Sequence, residues 1–216
     1  MAGTIGVIDY GMGNLHSLGK ALERVASSAR ILVSYDADEL MACDKLVLPG
    51  VGGVRECMKE LKRLELNQMV AEAAKKKPLL GICLGMQVLL DWSDENDGVP
   101  ALAVVPGKVV RFKDPPGNGP DGANLKVPHM GWNRVKQARS HPLWAGVPDN
   151  SWFYFVHSYH AAPKNKKHVL GTADYTHTFT AALARDNITA FQFHPEKSQG
   201  AGMTLLANFV GWDGKS

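Results

Sequence analysis

The sequence is poor in cysteine, in net charge and in long apolar runs. Its 216 residues include three cysteines and no Cys-x-x-Cys pair, which argues against a disulfide framework and against a zinc knuckle. The formal net charge is only +3, which gives little reason to expect nucleic-acid binding. No run approaches the roughly 18 to 20 apolar residues of a membrane span, and the N-terminus does not have the pattern of a signal peptide. We therefore expect a cytoplasmic protein that binds neither nucleic acid nor membrane.

The pattern of predicted elements changes half-way along the chain. In the first half, short apolar strands alternate with helical patterns, which predicts parallel pairing through right-handed crossovers. These strands are predicted at 4–8, 31–33, 45–48 and 79–82, with a helix at 84–90 directly after the last. In the second half, strands follow one another with few helices between them, which predicts antiparallel pairing. These strands are predicted at 108–112, 152–156, 169–173, 178–184 and 189–193.

The sequence thus predicts an α/β fold with a central, mostly parallel sheet flanked by helices and an added antiparallel sheet. We expect one domain over residues 1–216, with the Pro/Gly-rich stretch 114–122 as a surface loop and not a domain boundary. Two helix starts are also predicted. Asp36 and Glu39 have the spacing of a capping box. Ser198 is expected to cap the final helix, whose inner face would carry Met203, Leu206 and Val210.

Cys83 is the candidate nucleophile. An apolar strand runs directly into it and a helical pattern follows at once, which is the strand-turn-helix context of a nucleophile elbow. Gly81 and Gly85 flank it at two residues on each side, where a tight turn leaves no space for a Cβ atom. A helix N-terminus also favours an anion such as a thiolate. Cys43 and Cys57 have no such context and are interpreted as structural.

His194 and Glu196 are the candidate base and its orienting carboxylate. They end a strand in the motif Phe-His-Pro-Glu, in which Pro195 fixes the backbone and stops the ladder. Residues two apart on an extended chain point the same way, so the carboxylate can hydrogen-bond to the imidazole. Such a carboxylate fixes the imidazole tautomer, and the imidazole would take the thiol proton and later protonate a leaving group.

A glycine-rich turn after the third predicted strand is the candidate oxyanion hole. A tetrahedral intermediate needs two backbone donors for its oxyanion. The Leu84 N–H, just after the nucleophile, is one candidate, and the N–H of Val51 or Gly52 is the other.

At these residues the chain resembles the class I, triad-type glutamine amidotransferases, and within them the glutaminase subunits of imidazole glycerol phosphate synthase. Further segments carry the resemblance: 9–15 (DYGMGNL), 49–52 (PGVG), 128–133 (PHMGWN), 155–159 (FVHSY) and 197–198 (KS). The resemblance implies the class I glutamine amidotransferase fold and hydrolysis of L-glutamine to glutamate and ammonia, without a cofactor or a metal. It also implies substrate contacts, at Gly50, Gly52, Gln87, Ser158 and Tyr159.

The resemblance further implies a heterodimer with a (β/α)8-barrel cyclase subunit. Ammonia would be channelled to that subunit, which forms imidazole glycerol phosphate and AICAR in histidine biosynthesis. By positional match, the barrel-facing side would include Asn14, Met130, Trp132 and Lys197. Trp132 could equally be an ordinary core residue.

Two other motifs of the sequence fit their functions less well. Gly11 and Gly13 suggest a dinucleotide fingerprint, but the third glycine it needs is replaced by His16. His157 and His160 have metal-ligand spacing, but they lack a carboxylate partner. The remaining alternatives are an amidotransferase subunit of another synthase, a γ-glutamyl hydrolase or cysteine peptidase, and a catalytically silent binding subunit.

Overall fold

The computed structural model describes residues 3–26, 28–113 and 125–215. The predicted surface loop at 114–122 lies outside these residues. Within the described part, no helix combines the length and the apolar character that a bilayer crossing requires.

The N-terminal half alternates strands and helices, as predicted. Its first four strands are β1 (Thr4–Ile8), β2 (Arg30–Ser34), β3 (Lys45–Leu48) and β4 (Leu79–Ile82). Its helices are α1 (Leu15–Val25), α2 (Ala37–Ala42), α3 (Val54–Arg63), α4 (Leu66–Ala73) and α5 (Leu84–Val88). The helix after the nucleophile is therefore shorter than the predicted 84–90.

The rest of the chain is mainly strands. They are β5 (Trp92–Ser93), β6 (Val99–Pro100), β7 (Gly107–Arg111), β8 (His129–Gln137), β9 (Ser151–His157), β10 (Tyr159–Pro163), β11 (Val169–Asp174), β12 (Thr178–Arg185) and β13 (Ile188–Phe191). Short 3-10 turns occur at Glu95–Asp97, Pro142–Trp144, Lys166–His168 and Pro195–Lys197, and α6 (Gln199–Gly211) ends the fold.

The sheet has a parallel part and an antiparallel part, which confirms the predicted fold class. The parallel order is β2-β1-β3-β4-β13, and β12, β10 and β7 continue it in antiparallel pairs. Strands β8, β9 and β11 form a further antiparallel unit attached through β12. Because β3, β4 and β13 are parallel neighbours, their carboxyl ends meet at one edge of the sheet. The segments that follow Leu48, Ile82 and Phe191 therefore converge there.

Two apolar layers cover the faces of the parallel sheet. Helices α1 and α6 pack on one face, and helices α2 to α5 pack on the other. Alternation along β4 explains the division, since Leu80 and Ile82 join the first layer while Leu79 joins the second. Burial on both faces accounts for the continuous apolar runs of these strands.

One of the two hydrogen bonds of the predicted capping box at α2 is present. The Asp36 carboxylate accepts a hydrogen bond from the Glu39 N–H at 2.9 Å, as predicted. The reciprocal bond is absent from the described contacts, because the Glu39 carboxylate accepts from the Ser34 hydroxyl at 2.6 Å instead. The Asp36 N–H donates to the same hydroxyl.

The predicted side-chain cap of α6 is wrong. Ser198 occupies the N-cap position but makes no side-chain capping bond. On the predicted inner face Leu206 is fully buried, whereas Met203 and Val210 are half-buried. Leu205 and Phe209 complete the buried face.

Candidate active site

The chain turns sharply at Cys83, between β4 and α5. Cys83 has φ +54°, a backbone region that residues with side chains rarely adopt. The turn needs glycine at both flanks, because a Cβ atom on Gly85 would lie 1.8 Å from the Leu48 carbonyl oxygen. A Cβ atom on Gly81 would lie 2.9 Å from the Gly85 carbonyl oxygen. This is the geometry of a nucleophile elbow.

The Cys83 thiol and the His194 imidazole, 111 positions apart in the sequence, line the same cavity of about 300 Å³. Val51, Gly52 and Leu84 also line this cavity. The sulfur and the imidazole thus lie on the same side of the sheet, as a catalytic pair requires.

Glu196 and Ser198 hold His194 in place. The His194 Nδ1 lies 2.8 Å from Glu196 Oε1, and both side chains are almost fully buried. The Ser198 hydroxyl donates to the His194 carbonyl oxygen at 2.6 Å and accepts from the Tyr154 N–H at 3.0 Å. The other ring nitrogen, Nε2, is buried with no hydrogen-bond partner among the described groups. Because Nδ1 is occupied, Nε2 is the nitrogen left for proton transfer.

The charge of His194 is set by opposing effects. Burial by itself would lower the pKa of His194, but interactions with Cys83 and Glu196 outweigh it and raise that pKa to about 10. These two partners therefore favour the protonated form of the imidazole.

One of the predicted oxyanion donors is occupied by the glycine-rich turn after β3. The Leu84 N–H donates to the Gly50 carbonyl oxygen at 3.4 Å, so this candidate oxyanion donor is occupied. Gly50 is not among the residues described as lining the cavity, whereas Val51 and Gly52 are. An oxyanion would have to replace the Gly50 carbonyl at the Leu84 N–H.

Three residues predicted to contact the substrate already make hydrogen bonds within the protein. The Gln87 amide nitrogen donates to the Tyr159 carbonyl oxygen at 2.9 Å and to Gln192 Oε1 at 3.0 Å. The Ser158 carbonyl oxygen accepts from the Phe112 N–H at 3.1 Å. Gln87, Ser158 and Tyr159 all line the cavity. The side-chain oxygen of Gln87, and not its side-chain NH2 group, therefore remains available to a ligand.

The predicted partner-facing residues are exposed. Met130 and Trp132 retain 62% and 44% of their accessible surface, which rules out the core interpretation of Trp132. Tyr154 is paired with Trp132 across β8 and β9, and the Lys197 ammonium lies 5.8 Å from the centre of its ring. These four side chains form one surface patch. Asn14 lies at the start of α1, where its side chain accepts from the Ser17 N–H at 3.3 Å.

Sequence reasoning missed residues whose position depends on distant contacts. Glu95 lines the cavity, and its carboxylate accepts from the Val54 N–H at 2.6 Å. His157 also lines the cavity, and its Nε2 lies 2.9 Å from His129 Nδ1. Glu95 lies in no motif that the sequence analysis used, and His157 lies in the segment 155–159 but was considered there only as a metal ligand. The described His, Cys, Asp and Glu side chains include no group of three arranged to hold a metal ion.

Comparison with known proteins identifies the family of the chain. The sequence matches the family model described as "Glutamine amidotransferase class-I" over residues 6–211. It is 54% identical, over 97% of both chains, to imidazole glycerol phosphate synthase subunit HisH of Methylococcus capsulatus. It is 53% identical, over 99% of both chains, to the subunit of the same name from Nitrosococcus oceani.

Solved structures with low identity share the fold. One, from Thermoplasma acidophilum, is described as a putative GMP synthase subunit and has a TM-score of 0.72 at 22% identity. That match covers 98% of this chain and 94% of the other. On its sequence and its fold, the chain belongs to the class-I glutamine amidotransferase family.

Proposed function

We propose that this chain hydrolyses L-glutamine and supplies the ammonia to the cyclase subunit of an imidazole glycerol phosphate synthase. One observation carries the proposal: Cys83 and His194 open into a single cavity, and Glu196 is bound to the far side of the imidazole. The names of the relatives, each a subunit of that synthase, support this choice of synthase and of a complex with another subunit.

The reaction follows from these groups. The Cys83 sulfur attacks the side-chain carboxamide carbon of glutamine, and the carbonyl oxygen becomes an oxyanion. The imidazolium of His194 gives its Nε2 proton to the amide nitrogen, which leaves as ammonia and leaves a thioester on Cys83. The now neutral imidazole takes a proton from water, and the resulting hydroxide cleaves the thioester to glutamate and a free sulfur. Glu196 keeps Nδ1 protonated throughout, so that Nε2 carries the moving proton.

The cavity suits the rest of a glutamine molecule. A free glutamine carries an ammonium group and a carboxylate besides its side-chain amide. Glu95 supplies a half-buried carboxylate to the cavity wall, which matches the ammonium group. We assign Glu95 to that contact.

The patch of Met130, Trp132, Tyr154 and Lys197 is the proposed docking surface for the (β/α)8-barrel cyclase. Exposed apolar and aromatic side chains of this kind mark interaction sites. The patch borders the cavity, because Val156 pairs with Met130 across the strands and also lines the cavity. Docking there would seal the cavity rim and give ammonia a short route to the partner.

The experiment is a glutaminase assay with and without the purified cyclase subunit. We expect hydrolysis to rise strongly when the cyclase is present. Met130→Lys should weaken complex formation and this stimulation, whereas Tyr35→Lys, which alters a 66%-exposed tyrosine after β2, should not. Partner-independent cleavage of γ-glutamyl peptides would instead support a hydrolase. No glutamine hydrolysis in either state would refute the proposal.

A further inference from the structure

Gln192 is a fully buried amide next to the candidate nucleophile. It follows β13, between Phe191 and Phe193, and has no exposed surface. Its Nε2 lies 3.9 Å from Cys83 Sγ, within the range of a hydrogen bond to sulfur. Burying an amide costs free energy unless its groups are bonded, so a glutamine between two phenylalanines needs a reason.

The orientation of the Gln192 amide follows from its neighbours. The Tyr159 carbonyl can only accept hydrogen bonds, so Gln87 must point its NH2 group towards it. The same NH2 group reaches Gln192 at 3.0 Å, so Gln192 must present its oxygen there. The Gln192 NH2 group is thereby directed at the Cys83 sulfur.

This chain of bonds is anchored at its far end. The Tyr159 carbonyl oxygen also lies 2.8 Å from His157 Nδ1, so the His157 ring donates from that nitrogen. Two donors therefore hold the carbonyl to which Gln87 is bonded. A flipped Gln192 amide would place its NH2 against the NH2 of Gln87 and its oxygen against the sulfur. Both contacts are unfavourable when the sulfur is an anion.

We infer that Gln192 is a catalytic residue that donates an N–H hydrogen bond to the Cys83 sulfur and stabilises its thiolate form. The inference rests on the proposed role of Cys83 as nucleophile. Gln192 is not among the described residues that line the cavity, so it contacts the sulfur from the protein side. Substrate can thus approach from the cavity while the hydrogen bond is kept. The bond weakens once the sulfur carries an acyl group, because a thioester sulfur is a poorer acceptor than a thiolate.

The test measures the rate of Cys83 alkylation by iodoacetamide against pH, with mass spectrometry to identify the labelled cysteine. Only the thiolate reacts, so the midpoint of the profile reports how easily the sulfur ionises. Gln192→Glu keeps an oxygen for Gln87 and replaces the N–H donor with a carboxylate oxygen. Gln192→Met removes the donor without adding charge. His194 and Tyr10, the titratable groups that interact with Cys83, stay unchanged in both variants.

We expect the midpoint of the alkylation profile to move to higher pH by about one unit in Gln192→Met, which is a tenfold change equivalent to about 1.4 kcal/mol. The midpoint should move further in Gln192→Glu. Wild-type profiles in both variants would overturn the inference. Cys57, which is fully buried, is the internal control for opening of the fold. If Gln192→Glu exposes Cys57 to labelling, Gln192→Met decides the outcome.

The assay separates this inference from the proposed function. Alkylation needs neither glutamine nor the cyclase, so the profile can shift even if the protein does not hydrolyse glutamine. Conversely, an unshifted profile together with full glutaminase activity in the wild type refutes only the role of Gln192.

Discussion

Acid should destabilise this fold through histidines that are buried in neutral form. Burial lowers the pKa of His160 to about 4, and likewise lowers the pKa of His129 to about 4 and that of His157 to about 3. His160 packs against Phe112 with ring centres 4.8 Å apart, and its Nε2 lies 3.0 Å from the Nε2 of the exposed His177. We predict that His160→Phe makes the protein less sensitive to acid.

The sign and size follow from proton linkage. An unfolded histidine has a pKa of about 6.5, so between pH 6.5 and 4 the unfolded chain binds a proton that folded His160 does not. Above about pH 6.5 the neutral form of His160 costs the folded protein no stability. Below that pH the free energy of unfolding falls as the pH falls. At pH 5 the loss is about 2 kcal/mol for one histidine. His194 acts in the opposite window, because its raised pKa of about 10 gives stability that disappears as the pH rises from about 6.5 to 10.

The assay is urea unfolding at pH 7.5 and pH 5.0, followed by circular dichroism. We expect the free energy of unfolding to fall between these pH values by about 2 kcal/mol less in His160→Phe than in the wild type. The phenylalanine keeps the aromatic packing, and the freed His177 can bond to water. His16→Gln, at an exposed position, controls for the loss of a histidine. Equal losses in His160→Phe and the wild type would refute the reasoning.

Two further substitutions test the site. Glu196→Gln should lower kcat by roughly 10²- to 10⁴-fold with little change in KM, because His194 loses the carboxylate that fixes its tautomer; an unchanged kcat would contradict the role of Glu196. Tyr10→Phe removes the buried hydroxyl that donates to the Pro49 carbonyl oxygen at 2.8 Å. It should lower stability by about 1 to 3 kcal/mol, measured by urea unfolding, and reduce kcat because the turn after β3 loosens. Wild-type values for both quantities would show that the turn is held by other contacts.

The parallel half of the fold could be predicted because its signals are local. Strands β1, β3 and β4 are short apolar runs that end at Asp, Pro-Gly or the cysteine elbow, and their predicted bounds match the structure. The Cys83 and His194 motifs follow β4 and β13, which pair in parallel, but the sequence predicted only antiparallel pairing for the last strand. Glycine is required at position 85 because a Cβ atom there would clash with the Leu48 carbonyl oxygen.

Strand β8 was missed because its sequence carries no apolar alternation. In the segment HMGWNRVKQ only His129 and Val135 are buried, and the other positions are exposed or half-buried. Its pairing with β9 supplies the hydrogen bonds, and Met130 and Trp132 are left exposed on its outer side. Strand β10, which was also missed, begins directly after Ser158, so β9 and β10 resemble a single segment in the sequence.

The hydrogen bonds that tune the site were not predictable from local patterns. Gln87 and Gln192 lie 105 positions apart, and only the meeting of α5 with the segment after β13 brings them together. The occupied Leu84 N–H depends on the orientation of a single peptide group at Gly50, which residue identity does not specify. Glu95 reaches the cavity from a 3-10 turn that has no sequence signature.

The central claim is that the Cys83 sulfur attacks glutamine, and the most direct measurement compares Cys83→Ala with Cys57→Ala in complex with the cyclase. Synthesis of the cyclase product is measured with glutamine or with ammonium salt as the nitrogen source. We predict that Cys83→Ala loses glutamine-dependent synthesis and keeps ammonia-dependent synthesis, and that Cys57→Ala keeps both. Glutamine-dependent synthesis at the wild-type rate in Cys83→Ala would contradict the account.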